Sequence, residues 1–99
     1  MNFDLNKLNK VFDNRIRVGI MSALVMNEEI SFKDLKEYLD LTDGNLASHL
    51  KNLEENEYIT VHKGFIGRKT NTTYAITKLG KLAFQEHLSY LEKLIKNMK

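Results

Sequence analysis

The sequence predicts a mainly α domain with one small β-hairpin (α+β), in the order α-β-α-α-β-β-α. Three observations carry this expectation. Residues 41–53 place Leu46, Leu50 and Leu53 at i, i+4 and i+7, which buries one narrow stripe of a helix. From Tyr58 the apolar period falls to two, and a second β-like run follows a basic, glycine-containing stretch. Segments with wider apolar faces at helical spacing stand at both ends. The 99 residues suffice for one compact domain, taken as 1–99, and are too few for two.

Taken in order, residues 5–26 form the first expected helix. Leu5, Leu8, Phe12, Ile16, Ile20 and Leu24 keep spacings of three and four, and Val11, Met21 and Val25 widen the face. Ile30 stands alone before Ser31 and suits a very short strand. Ser31 is the expected N-cap of a second helix, with Asp34 three residues on, burying Phe32, Leu35 and Leu39. After a short turn at Asp40-Leu41, Thr42 caps the third helix, and Asp43 lies where the helix dipole favours an anion. Asn56 is the expected end of that helix, since Asn tolerates the left-handed conformation.

Two strands follow. Ile59, Val61 and Phe65 are expected to face one way, and Tyr58, Thr60 and His62 the other; Thr72-Thr73-Tyr74-Ala75-Ile76 returns. The connection carries Gly67, which permits the positive φ of a tight turn. Thr77 caps a last helix over 78–97. Its Phe84, Leu88, Leu91, Ile95 and Met98 are spaced 4, 3, 4 and 3, like a coiled-coil seam. With the domain closed by the hairpin, that seam and the first helix form an expected homodimer interface of Leu5, Leu8, Phe12, Phe84, Leu88, Leu91, Ile95 and Met98.

Composition narrows the function. No cysteine is present, so disulfides and thiolate chemistry are excluded. No apolar run approaches the roughly 18 residues of a membrane span, and no secretory signal opens the chain, so a cytoplasmic protein is expected. The net charge of +2 hides a segregation. Residues 28–57 hold nine acids and three lysines, whereas 58–85 hold Lys63, Arg68, Lys69, Lys78 and Lys81 and no acid. An acid-free basic block on a hairpin suits a polyanionic partner.

The outer face of the third helix carries Gly44, Asn45, Ser48 and Asn52, with Lys51 at its edge. These side chains are small, and several both donate and accept hydrogen bonds. Such a face fits the roughly 12 Å wide major groove of DNA and its base edges. Asn45, Ser48 and Asn52 are the expected base readers, and Gly44 lets the backbone come close. Thr42 and the first helical amides are candidates for a phosphate. Lys63, Arg68 and Lys69, in the basic stretch 63–71, would hold the backbone or, for Arg68, enter the minor groove. Arg15 and Arg17 are candidate flanking contacts, Arg17 being equally suited to an acid of the second helix. His49 lies beside the apolar stripe, suited either to a phosphate or to a partly buried structural role.

At residue level the chain resembles the MarR/ArsR-like transcriptional regulators, most of all their small single-domain winged helix-turn-helix members. The resemblance covers about residues 11–85. It rests on Arg15-Ile16-Arg17-Val18-Gly19-Ile20-Met21, on Ile30-Ser31-Phe32-Lys33-Asp34-Leu35, on the run from Leu41 through Glu54, on Tyr58-Ile59 with Lys63-Gly64-Phe65, and on Thr73-Tyr74-Ala75-Ile76-Thr77-Lys78-Leu79-Gly80. It implies a winged helix and a DNA-binding regulator, with the third helix (42–56) reading and the hairpin as wing. The family's metal sensors use Cys, or His with carboxylates; here the last helix has only His87, so no metal or cofactor is expected. An unidentified small-molecule effector stays open.

The expected partners are therefore double-stranded DNA and a second copy of the chain, on a palindromic site with half-sites about 34–36 Å apart. The alternative is a winged helix that binds protein without DNA specificity. Catalysis is not expected: no His-x-x-x-His, phosphate-binding Gly-rich loop or thiol is present.

Overall fold

The helix expected over 5–26 is broken twice, at Asn9 and Asn14. The computed structural model describes residues 3–98, so Met1, Asn2 and Lys99 of the expected domain lie outside it. Asp4 and Asn9 each accept a hydrogen bond from the amide two residues on, and each opens a single 3-10 turn, Leu5–Lys7 and Lys10–Phe12. The Asn14 side chain accepts from the amides of Ile16 and Arg17 and starts helix α1, Arg15–Val25. Short polar side chains that capture nearby amides restart a helix rather than continue it. Val25, expected on the apolar face, is exposed.

Strand β1, Ile30–Ser31, leads directly into α2, Phe32–Leu39, capped by Ser31 through the Asp34 amide. Helix α3, Asp43–Glu55, is capped by Thr42 through the Asn45 amide. Both helices end in the same way. Asp40 has φ +53° and Glu57 φ +62°. The amides that follow, of Leu41 and Tyr58, reach back to the carbonyls of Lys36 (3.1 Å) and Leu53 (3.0 Å). This is the Schellman pattern, which favours glycine at the left-handed position. Asn56 caps the end of α3, as expected, but it keeps a negative φ, and Glu57 takes the left-handed turn.

Strands β2, Ile59–Ile66, and β3, Lys69–Ile76, pair in register from Ile59↔Ile76 to Ile66↔Lys69, and β1 adds to the other edge of β3. The turn is only Gly67-Arg68. Gly67 has φ +62° and Arg68 does not share it, the pattern of a type II′ hairpin. Helix α4, Lys78–Asn97, starts at Thr77, whose hydroxyl accepts from the Gly80 amide.

The core joins Phe12, Ile20, Met21, Leu24, Leu35, Leu46, Leu50, Leu53, Ile59, Tyr74 and Phe84. Burying each large aliphatic side chain contributes roughly 1.5–3 kcal/mol, and all three leucines of the α3 stripe take part. The arm before α1 lies against α4. Phe12 meets Phe84 edge-on with ring centroids 5.1 Å apart. The Asn9 amide donates to His87 Nδ1 (3.0 Å), and the Asp4 amide to the Tyr90 hydroxyl (2.8 Å).

Candidate nucleic-acid interface

With its leucine stripe in the core, α3 turns the opposite face outward. Thr42, Gly44, Asn45, Ser48 and Lys51 are exposed, and Asn52 is half-buried. Asn52 is partly engaged: the Asn56 side-chain amide donates to its carbonyl (2.8 Å) and lies 3.5 Å from its Oδ1. The Ser48 hydroxyl donates to the Asn45 carbonyl (3.2 Å), leaving its lone pairs outward. A Cβ built on Gly44 would meet no atom within 4 Å. Nothing inside the fold therefore requires glycine there. Thr42 and Asn45 share a shallow cleft of about 470 Å³ with Arg15, so a cation stands beside the N-terminus of α3.

Two of the ambiguous residues solve each other. The Arg17 guanidinium donates through Nε to the Val11 carbonyl and through Nη1 to His49 Nδ1, at 3.1 Å. Arg17 thus has no acid of α2 as partner, and one nitrogen of His49 is committed inside the protein. Burial, and then the neighbouring Arg17 charge, push the His49 pKa below its ordinary value near 6.5. A depressed folded-state pKa means that the unfolded chain takes the proton first. The associated stability is complete above pH about 6.5 and is lost as pH falls from there through the folded-state value. Thermal melts between pH ~7.5 and ~5.5 should show a loss in the wild type that is smaller in His49→Gln. Equal losses in the two proteins would dismiss the pairing as a contributor.

In the wing, Lys63, Arg68 and Lys69 are exposed, and none forms an ion pair among the described residues. Phe65 lies on the core-facing side of β2 with Ile59 and Val61, as expected, yet is 74% exposed, because the hairpin runs past the core. Ile66, which the sequence did not single out, is 69% exposed.

The residues expected to join two copies divide into three groups. Phe12 and Phe84 are buried in the chain's own core, a correction to the seam, because the arm covers this part of α4. Leu8 and Leu91 are half-buried, and Leu5, Leu88, Ile95 and Met98 are exposed. An open groove of about 940 Å³ between arm and α4 is lined by Lys7, Lys10, Leu82 and Lys93, among others. Among the described residues, no three His, Asp or Glu side chains are grouped to hold a metal ion, and no helix is long and apolar enough to cross a membrane.

A polar-faced helix capped beside a cation, followed by a basic hairpin, is the layout of a winged helix that binds DNA. The sequence profile described as winged helix DNA-binding domain matches residues 16–95, and the chain belongs to that family. It is 39% identical over 89 residues to an uncharacterised protein of Methanocaldococcus jannaschii, covering 90% of this chain and 97% of the relative. In structure it is similar to a transcriptional regulator homologue from Pyrococcus horikoshii, with TM-score 0.80 and 30% identity over 96% of this chain and 99% of that one. It also shares its fold with Bacillus subtilis PadR, solved in complex with operator DNA, at TM-score 0.68 and 21% identity over 76% of this chain and 48% of that one. Family and fold are those of DNA-binding transcriptional regulators rather than enzymes.

Proposed function

We propose that the protein is a cytoplasmic homodimeric regulator that recognises a palindromic operator, with α3 in the major groove and the β2–β3 wing on the backbone or minor groove. The observation that carries this reading is the outer face of α3: small, largely exposed, able to hydrogen-bond, and flanked by cations that form no ion pair among the described residues. Asn45, Ser48 and Asn52 read base edges, since amides match adenine and hydroxyls match mixed edges. Thr42, Arg15 and Lys51 meet phosphates, with Lys63, Arg68 and Lys69 on the wing. His49, held by Arg17, orients α3 against α1 and keeps one ring nitrogen for the interface.

The shape of the chain supports self-association. Its radius of gyration is 15.2 Å, and its extents are 57 × 25 × 21 Å. A compact domain of this length has a radius nearer ~13 Å. The second half of α4 and its C-cap carry Leu88, Leu91, Ile95 and Met98, of which Ile95 is 59% and Met98 84% exposed. A second copy gives those side chains an apolar partner, with Leu5 and Leu8 of the arm at the same interface.

Selecting duplexes from a random pool tests the reading as a whole. The expected winners contain two inverted half-sites whose centres are about one helical turn apart. Enrichment of a single unrepeated half-site, together with light scattering of a monomer, would remove the dimer; no enrichment at all would favour a protein-binding role for the same faces. A sharper test uses Gly44. Alanine there should raise thermal stability by up to ~1 kcal/mol, because glycine is the poorer helix former. It should nevertheless weaken binding to the selected duplex in an anisotropy titration. A more stable protein with undiminished affinity would mean that DNA does not approach the helix at Gly44.

A further inference from the structure

The outer half of the wing has no structural duty. Partners across an antiparallel pair share a face. Val61↔Tyr74 is the last core-facing pair with a buried residue, and Thr73, opposite His62 in the next pair, is the last buried residue of the hairpin; beyond it come four pairs, from Lys63↔Thr72 to Ile66↔Lys69. At about 3.3 Å per residue these project roughly 13 Å past the core. One face of this projection presents Lys63 and Phe65, and the other presents Ile66 and Lys69, with Arg68 in the turn. Each face thus carries one large, mostly exposed apolar side chain next to one lysine. No acid occurs anywhere in residues 58–85 to attract a basic protein surface.

We propose that Phe65 and Ile66 form an apolar wedge that enters the minor groove, each face of the tip lying against one sugar-phosphate wall. Lys63 and Lys69 meet the phosphates of the two opposed strands, and the apolar side chains press on the deoxyribose edges between them. This rests on the DNA-binding reading above. Polyanion contact accounts for the lysines, and a two-walled groove accounts for their placement on opposite faces, each beside an apolar group. A groove about 6 Å wide does not admit a ribbon bearing such side chains on both faces. Entry therefore widens it and bends the duplex toward the major groove, as apolar wedges in the minor groove do.

The test uses the duplex selected by the wild-type protein, labelled at both ends with a fluorophore pair. Wild type should bring the ends closer. Phe65→Ala and Ile66→Ala should each bind about tenfold more weakly, as expected for losing a buried apolar contact. Both should reduce the bend and keep the wild-type salt dependence and melting temperature, since neither side chain supports the core. If both variants bind and bend DNA like the wild type, the wedge is wrong while the DNA-binding reading stands. If they change the oligomeric state on a sizing column and leave affinity alone, the tip joins copies of the chain and the wedge is again wrong. If the wild type retards no duplex even at low salt, both readings fall.

Discussion

Replacing Gly80 by alanine should unfold much of the population at temperatures where the wild type is native. A Cβ at this position would lie 2.1 Å from the Tyr58 carbonyl oxygen and 2.8 Å from its carbonyl carbon and Cα. These are backbone atoms, and they are held. The Tyr58 amide donates to the Leu53 carbonyl (3.0 Å), and the Tyr58 carbonyl accepts from the Thr77 amide (3.0 Å). The Thr77 hydroxyl donates to the Glu57 carbonyl (2.7 Å). The exit from α3 and the entry to α4 are thus stitched together at the point where the methyl group would go. Overpacking typically costs about 1–3 kcal/mol, and a clash with held backbone atoms lies at the upper end of that range, above the ~1 kcal/mol that alanine gains as a helix former. For a domain of this size the melting temperature should fall by roughly 10–20 °C. Circular dichroism checks it directly, with Gly44→Ala, whose added methyl meets nothing, as the comparison. A Gly80→Ala protein that melts within a few degrees of wild type would mean that the α3–α4 junction yields easily.

The second large effect is expected in salt. The chain presents Arg15, Lys51, Lys63, Arg68 and Lys69 exposed and without an ion pair among the described residues. If a dimer uses six to ten such contacts, affinity should fall by roughly 10³–10⁵ between 50 and 200 mM salt. Arg68→Ala removes one contact per copy and should lower the slope of log affinity against log salt by about two for the dimer. Asn45→Ala should behave differently, leaving the slope intact and relaxing the preference among base pairs at one position of each half-site. Anisotropy titrations over a salt series measure both. A slope near zero for the wild type would dismiss phosphate contact by these side chains.

Much of this architecture is legible in the residues because the cues are local. Ser31, Thr42 and Thr77 cap where their hydroxyls predict, and the three leucines of α3 bury as their spacing requires. What misleads is partly a competition between nearby polar side chains and the helix, and partly contacts with groups distant in the chain. Leu5, Leu8 and Phe12 keep helical spacing, yet the amides that Asn9 and Asn14 capture break the helix, and the apolar residues serve an arm instead. The seam at Phe84, Leu88 and Leu91 follows the strongest apolar pattern, whereas the arm covers Phe84, His87 and Tyr90. Two of these are polar, and their partners lie more than seventy residues away. His49 is ambiguous alone because Arg17, 32 residues earlier, decides its role. Alternation places Phe65 on the correct side of its strand but carries no information about where the core stops.

The two corners built on Asp40 and Glu57 have a consequence for protein engineering. Each places an L-residue in a left-handed conformation that costs roughly 1–2 kcal/mol, so neither corner holds its helices together unaided. Helices α2 and α3 are 8 and 13 residues long, at or below the length at which an isolated helix is even marginal in water. A synthetic peptide spanning residues 31–57 should therefore be largely unstructured. Transplanting the α2–α3 element onto another scaffold requires carrying α1 and the inner half of the hairpin with it, or rebuilding both corners with glycine.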